Sequence, residues 1–346
     1  MKKGLVPALH HHRLIDDLTP SMRWDGVTDL YEWQKQAKEK LYELLGIAEI
    51  EPYRVDPEIE IEYDVIAEDL GCREIRFRYK TEKDVTIPCH MVIPNGADKP
   101  LPVVITLQGH STGMHISLGR PKFPGDEETC KGGDRDFVVR AVKEGVVAIA
   151  LEQRAFGENG GNTENGNTQC RETSMRAMLL GRTLIGERVW DIMRLIDVLE
   201  KFFTDIVDVN KVMCLGNSGG GTATTYATVL EERIKIGVPS CAVCEFADSI
   251  GVMYHCNCNF VPYIAKYFDM GDLCAMVAPR NLIVVNGRQD TGFLYAGAIN
   301  CVDVAREAYQ AVDADDKLVH VIGPYGHRFY ADLSWPKIHK ALESLE

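Results

Sequence analysis

The segment Lys211-Val212-Met213-Cys214-Leu215-Gly216-Asn217-Ser218-Gly219-Gly220-Gly221-Thr222 sets a serine between Gly216 and Gly220, where an apolar β-type run passes into a helix-type one. Such a turn is sharp and strained, and it aims the serine hydroxyl out of the sheet. Only small neighbours let strand and helix approach that closely, and the helix N-terminus favours negative charge developing beside the hydroxyl. The plainer reading is a Gly-rich turn that packs tightly or cradles a phosphate, but the lysine of a phosphate-binding loop is missing.

A serine hydroxyl is a weak nucleophile near neutral pH and needs a base and an acid that orients the base. When the nucleophile sits on a strand–helix elbow, these partners follow in the order acid, then histidine, on loops after later strands. Asn281 to Asn286 reads as a strand and runs into Gly287-Arg288-Gln289-Asp290. Leu318 to Ile322 reads as the next and opens into Gly323-Pro324-Tyr325-Gly326-His327. Asp290 is therefore the expected acid and His327 the expected general base. Asp290 also reads as a turn or cap aspartate, since Thr291-Gly292 follow, and His327 as a surface loop histidine. His320, within its strand, and His339, within the last helix, read as structural.

Acyl transfer also requires oxyanion donors. The amide of Gly219 is one. The second is expected from Gln108-Gly109-His110-Ser111, after the first parallel strand, with the His110 amide favoured and Gly109 permitting close approach. Gln108, Gly109, Asn217 and Arg154 are the expected substrate contacts. The side chains of His110 and His115 read equally as substrate contacts or as plain loop residues. For Arg154 an ion pair that fixes its loop is the blander reading.

These residues need a scaffold that brings strand ends together. Residues 27–46 place Leu30, Trp33, Ala37, Leu41, Leu44 and Leu45 on one helical face, predicting an N-terminal helix docked on the main body. Ile59 to Ile66, Arg73 to Lys80 and Val85 to Ile93 predict antiparallel strands, with a turn at Thr81-Glu82-Lys83-Asp84. From residue 101 strands alternate with helices. Strands are expected at 102–107, 146–152, 211–216, 235–241, 281–286 and 317–322, and helices near 134–144, 187–203, 219–231, 296–312 and 335–345. Residues 108–133 and 153–186 read as long loops over the site mouth. The expected architecture is α/β: a mostly parallel doubly wound sheet with an antiparallel N-terminal edge, carried by residues 59–346, and a helical extension at 1–58.

Composition narrows the partners. A formal net charge of −13 argues against nucleic acid or an anionic membrane surface. Apolar runs such as Val146 to Leu151 are strand-sized, far short of a membrane span. The start, Met1-Lys2-Lys3-Gly4-Leu5-Val6-Pro7, is broken by proline and followed by His10-His11-His12-Arg13, so no export signal is read there. Eleven cysteines, an odd count with several inside apolar runs, fit reduced thiols in a cytoplasm. Zinc ligation by His255-Cys256-Asn257-Cys258 with Cys241 and Cys244 is one reading, and packing or loop structure is the plainer one. Cys241-Ala242-Val243-Cys244 looks like a buried strand end, so no metal and no organic cofactor are expected. Trp190 reads as core. The triple histidine reads as a polar segment or as an arm reaching another subunit of a homo-oligomer.

The sequence resembles the acetyl xylan esterase and dienelactone-hydrolase-like branch of the α/β-hydrolases over most of residues 60–346. The resemblance is carried by Gln108-Gly109-His110, Glu152-Gln153-Arg154-Ala155-Phe156-Gly157-Glu158, Gly186-Glu187-Arg188-Val189-Trp190-Asp191 and the turn at Ser218. It continues through Cys256-Asn257-Cys258-Asn259-Phe260-Val261-Pro262, Met270-Gly271-Asp272 and Ala278-Pro279-Arg280-Asn281-Leu282. It implies the α/β-hydrolase fold, the triad Ser218, Asp290 and His327, and ester hydrolysis, often of acetyl groups on plant polysaccharides. The expectation is a serine carboxylic-ester hydrolase acting on a small-molecule or acetylated oligosaccharide ester. A serine peptidase of prolyl-oligopeptidase type and a non-catalytic binding module are the rivals. About 60 N-terminal residues leave no room for the peptidase's propeller.

Overall fold

The computed structural model describes residues 6–160 and 169–345. Residues 1–5, the first part of the segment read for an export signal, and 161–168, within the predicted 153–186 loop, lie outside the described residues.

Nine strands form one sheet: β1 (Ile59–Ala67), β2 (Cys72–Glu82), β3 (Val85–Ile93), β4 (Leu101–Leu107), β5 (Val147–Leu151), β6 (Val207–Asn217), β7 (Ile234–Ser240), β8 (Asn281–Gly287) and β9 (Leu318–Gly323). Their spatial order is β1-β2-β3-β5-β4-β6-β7-β8-β9. The β1-β2-β3 meander and its join to β5 are antiparallel. From β5 to β9 every pairing is parallel. The β-branched runs of β4, β5 and β8 are buried almost throughout, as strands covered on both faces must be.

The helices are α1 (Pro7–Asp16), α2 (Leu30–Leu44), α3 (Asp126–Gly132), α4 (Phe137–Lys143), α5 (Cys170–Leu179), α6 (Leu184–Phe202), α7 (Gly219–Leu230), α8 (Ile264–Tyr267), α9 (Met270–Ala275), α10 (Tyr295–Gln310) and α11 (Ala331–Glu343). One apolar core, with Trp190 in it, lies on the α6–α7 side of the sheet, and a second beneath α4 and α11. Helix α7 starts with no spacer after Ser218. Its buried Thr224, Thr225 and Thr228 satisfy their hydroxyls on carbonyls four residues back.

Three local expectations are corrected. The extension holds two helices, with His10–His12 inside α1, because Pro7 suits a first helical turn. The predicted loop over 108–133 contains α3, whose first turn carries Asp126, Glu127 and Glu128 against the helix dipole. The predicted loop over 153–186 contains α5. Helix α2 is capped by Asp29, which accepts from the amides of Tyr31 and Glu32. It docks through Gln34, whose amide donates to the carbonyls of Ala275 and Ala278. Among the described residues no helix is long and apolar enough to cross a membrane.

Candidate active site

Ser218 sits at φ 58°, ψ −124°, a conformation an L-residue adopts only under constraint. Its amide donates to Ser240 O and its carbonyl accepts from Thr222 N, both at 2.8 Å, so sheet and helix clamp it from either side. The glycines around it are sterically required. A Cβ on Gly216 would lie 2.4 Å from Gly220 O, one on Gly220 2.2 Å from Leu107 O, and one on Gly109 2.9 Å from Ser218 Cβ.

Ser218, Asp290 and His327 line one cavity of about 480 Å³, at the C-terminal ends of the parallel strands. His327 Nδ1 lies 2.8 Å from Asp290 Oδ2, which leaves Nε2 as the ring nitrogen free for chemistry. The other carboxylate oxygen, Oδ1, accepts from the amides of Gly292 and Phe293 at 2.8 and 3.2 Å. Asp290 therefore fills both roles the sequence allowed: it caps the turn and it holds the histidine. Burial alone would push its carboxyl up, but the hydrogen bond and charge of His327, with the Gly292 amide and the Cys241 thiol, hold it below its ordinary value. Phe293 stacks on the His327 ring (centroids 6.0 Å, planes 15° apart), and Arg135 donates to His327 O at 3.2 Å. Sequence reasoning missed both supports, and neither has a signal beyond proximity in the fold.

Among the described residues the amides of Gly219 and His110 donate to no protein acceptor. Gly219 is the first residue of α7, where intrahelical acceptors do not exist. The His110 ring lies against Gly219, since a Cβ there would meet its Cε1 at 2.9 Å. The remaining expected contacts fall elsewhere. Gln108 is buried and ties the loop to Ser117 Oγ and Arg135 O. Asn217 is buried and accepts from Ser240 Oγ. Arg154, expected at the substrate, is not among the residues lining the cavity. It binds Asp191 through Nε and Nη2, at 2.8 and 2.7 Å, and Glu82 at 2.7 Å, because the turn after β5 aims it toward β2 and α6. His115 pairs with Asp126 at 2.8 Å in a second cavity, lined also by Tyr63, Arg76, His90 and Arg120. His320 donates to or accepts from Asn286 Oδ1, and His339 pairs with Glu144.

One cluster of metal-type ligands also comes together beside the cavity. Side-chain donor atoms of His110, Cys170, Cys256 and Cys258 all lie within 4.8 Å of one another. Cys241 and Cys244 take no part: their thiols face the carbonyls of Arg328 and of Asp248 and Leu294. The set was invisible in sequence because its members come from three distant segments, with only Cys256-x-Cys258 as a local trace. His110 Nε2 lies 3.1 Å from Cys258 Sγ. Burial would lower the His110 pKa, but hydrogen bonding to Cys170 and Cys256 outweighs it and raises it to about 8.

A family model described as "Abhydrolase family" matches residues 9–318. The chain is 24% identical over 249 residues to a candidate hydrolase, YtaP, of Bacillus subtilis, covering 64% of this chain and 76% of that protein. In fold it is similar to a candidate acetyl xylan esterase from Bacteroides fragilis, with TM-score 0.76 and 18% identity, covering 93% of this chain and 83% of the other. It is likewise similar to a glucuronoyl esterase from Solibacter usitatus, with TM-score 0.66 and 16% identity, covering 95% of this chain and 97% of the other.

Proposed function

The chain belongs to the Abhydrolase family, and from that premise we propose that it is a serine carboxylic-ester hydrolase of acetylated carbohydrates, with Ser218, Asp290 and His327 as its triad. The observation that carries this reading is a strained serine sharing one cavity with a hydrogen-bonded Asp290–His327 pair. His327 Nε2 takes the Ser218 proton as Oγ attacks the ester carbonyl carbon. The amides of Gly219 and His110 receive the negative oxygen. Asp290, kept ionised by its partners, stabilises the imidazolium. Collapse of the tetrahedral adduct breaks the bond to the alcohol, which leaves with the proton from Nε2. A water, deprotonated by the same nitrogen, then releases the acid and restores Ser218.

Tyr254, Asn259, Thr291 and Phe293 line the cavity with neutral polar and aromatic groups. Such a wall suits an uncharged sugar ester. The eleven cysteines are free thiols, which supports a reducing compartment.

The test is a fluorophosphonate label together with a substrate panel of p-nitrophenyl acetate, acetylated xylo-oligosaccharides, glucuronoyl esters and aminoacyl anilides. Wild type is expected to be labelled and to turn over the acetyl esters, with Ser218→Ala doing neither. A folded wild-type protein that resists the label and hydrolyses none of these esters overturns the reading.

A further inference from the structure

His110 and Cys256, which line the cavity, meet Cys170 and Cys258 just behind it, one imidazole and three thiols from segments that share no secondary structure. His110 comes from the loop after β4, Cys170 is the first residue of α5, and Cys256 and Cys258 flank Asn257 in the stretch after β7. We propose that His110, Cys170, Cys256 and Cys258 bind one zinc ion in a closed Cys3His site that fixes this wall.

The spacing fits a single ion. Tetrahedral zinc, with Zn–S of about 2.3 Å and Zn–N of about 2.0–2.1 Å, sets its ligand atoms about 3.5–3.8 Å apart. These four donors already lie within 4.8 Å of one another, with His110 Nε2 at 3.1 Å from Cys258 Sγ. Shifts of about 1 Å or less, with the His110–Cys258 pair opening slightly, close the site. Thiolate-rich sets of this kind select zinc over the hard divalent ions.

The second observation is electrostatic. Arg188 of α6 is 1% exposed, and its Nη2 lies 3.4 Å from Cys170 Sγ. Its other acceptor is the carbonyl of Arg154, its Nη1 has no partner, and among the described residues no carboxylate pairs with it. Arg194, two turns along the same helix, shows the usual solution: it is equally buried and pairs with Asp197. A buried guanidinium without an anion is costly. Three thiolates around Zn²⁺ carry a net charge of −1, which Arg188 neutralises. Three neutral thiols would leave its charge uncompensated. Phe156 completes the cage, with the Arg188 guanidinium 4.2 Å from its ring centroid and the His110 ring edge-on at 5.2 Å. Arg188 and Phe156 belong to the shell that orients metal ligands.

Four protein ligands leave no open position, so the ion positions and does not activate water. It fixes the His110 ring, and with it the loop whose amide faces Ser218, and it staples Cys256 to that loop. This last step rests on the proposed role of Ser218, whereas the metal content does not.

The experiment takes the full chain, freed of any tag, loads it with zinc, dialyses it and measures metals by mass spectrometry, expecting about one zinc per chain. Cobalt loading should give the thiolate-to-metal charge-transfer band of tetrahedral coordination, which a histidine-only site such as His10–His12 cannot produce. Cys256→Ser, at the half-exposed ligand, should lose the ion and the band, while Cys72→Ser, outside the set, should keep both. If Cys256→Ser fails to fold, alkylation of wild type decides: Cys170, Cys256 and Cys258 should resist it until a chelator is added. Sub-stoichiometric zinc with no charge-transfer band, iron or copper in place of zinc, or a disulfide among the three thiols each overturns the proposal. None of these readouts depends on turnover, so a failure of the Ser218 reading would show separately.

Discussion

Two clusters border the Ser218 cavity, and they are assembled by different means. The Asp290–His327 side is built from single residues placed at consecutive strand ends. Asp290 is fixed by its own turn, through the Gly292 and Phe293 amides, and that turn's Phe293 ring then stacks on His327, which Arg135 also holds. The His110–thiol side has no such local support. Its members arrive from three segments and meet only because the β4 and β5 loops, α5 and the 256–258 stretch converge on Arg188 and Phe156. Local turns can aim a side chain without help. Loops that converge need something at the meeting point, and a metal ion supplies it.

The comparison breaks most sharply if the two sides do not separate on mutation. Ser218→Ala should lower kcat by on the order of 10⁵–10⁶, as for other triad nucleophiles, with zinc content unchanged. Steady-state kinetics with p-nitrophenyl acetate and metal analysis of the same sample check both halves. Asp290→Asn should cost about 10⁴ in kcat, because the amide favours the wrong imidazole tautomer while the turn bonds to Oδ1 survive. Its far-UV circular dichroism and cobalt spectrum should match wild type. The lowered pKa of Asp290 adds a stability term of known sign. The carboxylate's contribution is complete above about pH 3.9 and is lost only as pH falls through its lower folded value.

The same contrast explains what could be read from sequence. Strands such as Pro102 to Leu107 and Asn281 to Asn286 were legible because buried parallel strands are continuous apolar runs. Ser218 was legible because a glycine pattern records the backbone strain directly, and Asp290 and His327 because chain order is conveyed by strand order. The metal-ligand set was not legible: Cys170 and His110 are 60 residues apart in sequence, and their meeting depends on loop paths that no periodicity encodes. Helices α3 and α5 were hidden for a related reason, since Gly, Asn and charged residues around them read as loop. Arg154 shows a third kind of case. A cation at a strand end reads in sequence as a substrate clamp or as an ion pair fixing its loop, and the fold names the partners, Glu82 and Asp191.

Arg188→Gln sharpens the comparison from the other side. It removes the charge that balances three thiolates while leaving every proposed ligand in place. Loss of such a supporting contact typically weakens a metal site by about 10–100-fold, and competition with a chromophoric chelator reads that change. The Asp290–His327 pair should be untouched, so fluorophosphonate labelling of Ser218 should persist. Unchanged zinc affinity would show that Arg188 answers to something other than the thiolates.

The smallest expected effect sets the pH window in which the two sides can be compared. His320 lies on β9, the strand that leads to His327, and burial lowers its pKa to about 4. The unfolded chain binds that proton at about 6.5. Between these values the unfolded state holds more protons than the folded one, so stability falls as pH drops from about 6.5 toward 4, then levels off. From pH 7 to 5.5 the loss is about 1 kcal/mol, the log ratio of the two titrations at 1.36 kcal/mol per unit. His320→Gln cannot take up the proton and should flatten this slope, as read from urea midpoints at several pH values. If the slope survives the substitution, another group carries the acid sensitivity. Above pH 7 the His320 term vanishes, so differences between the triad variants and the zinc-site variants there belong to the cavity and not to the strand beneath it.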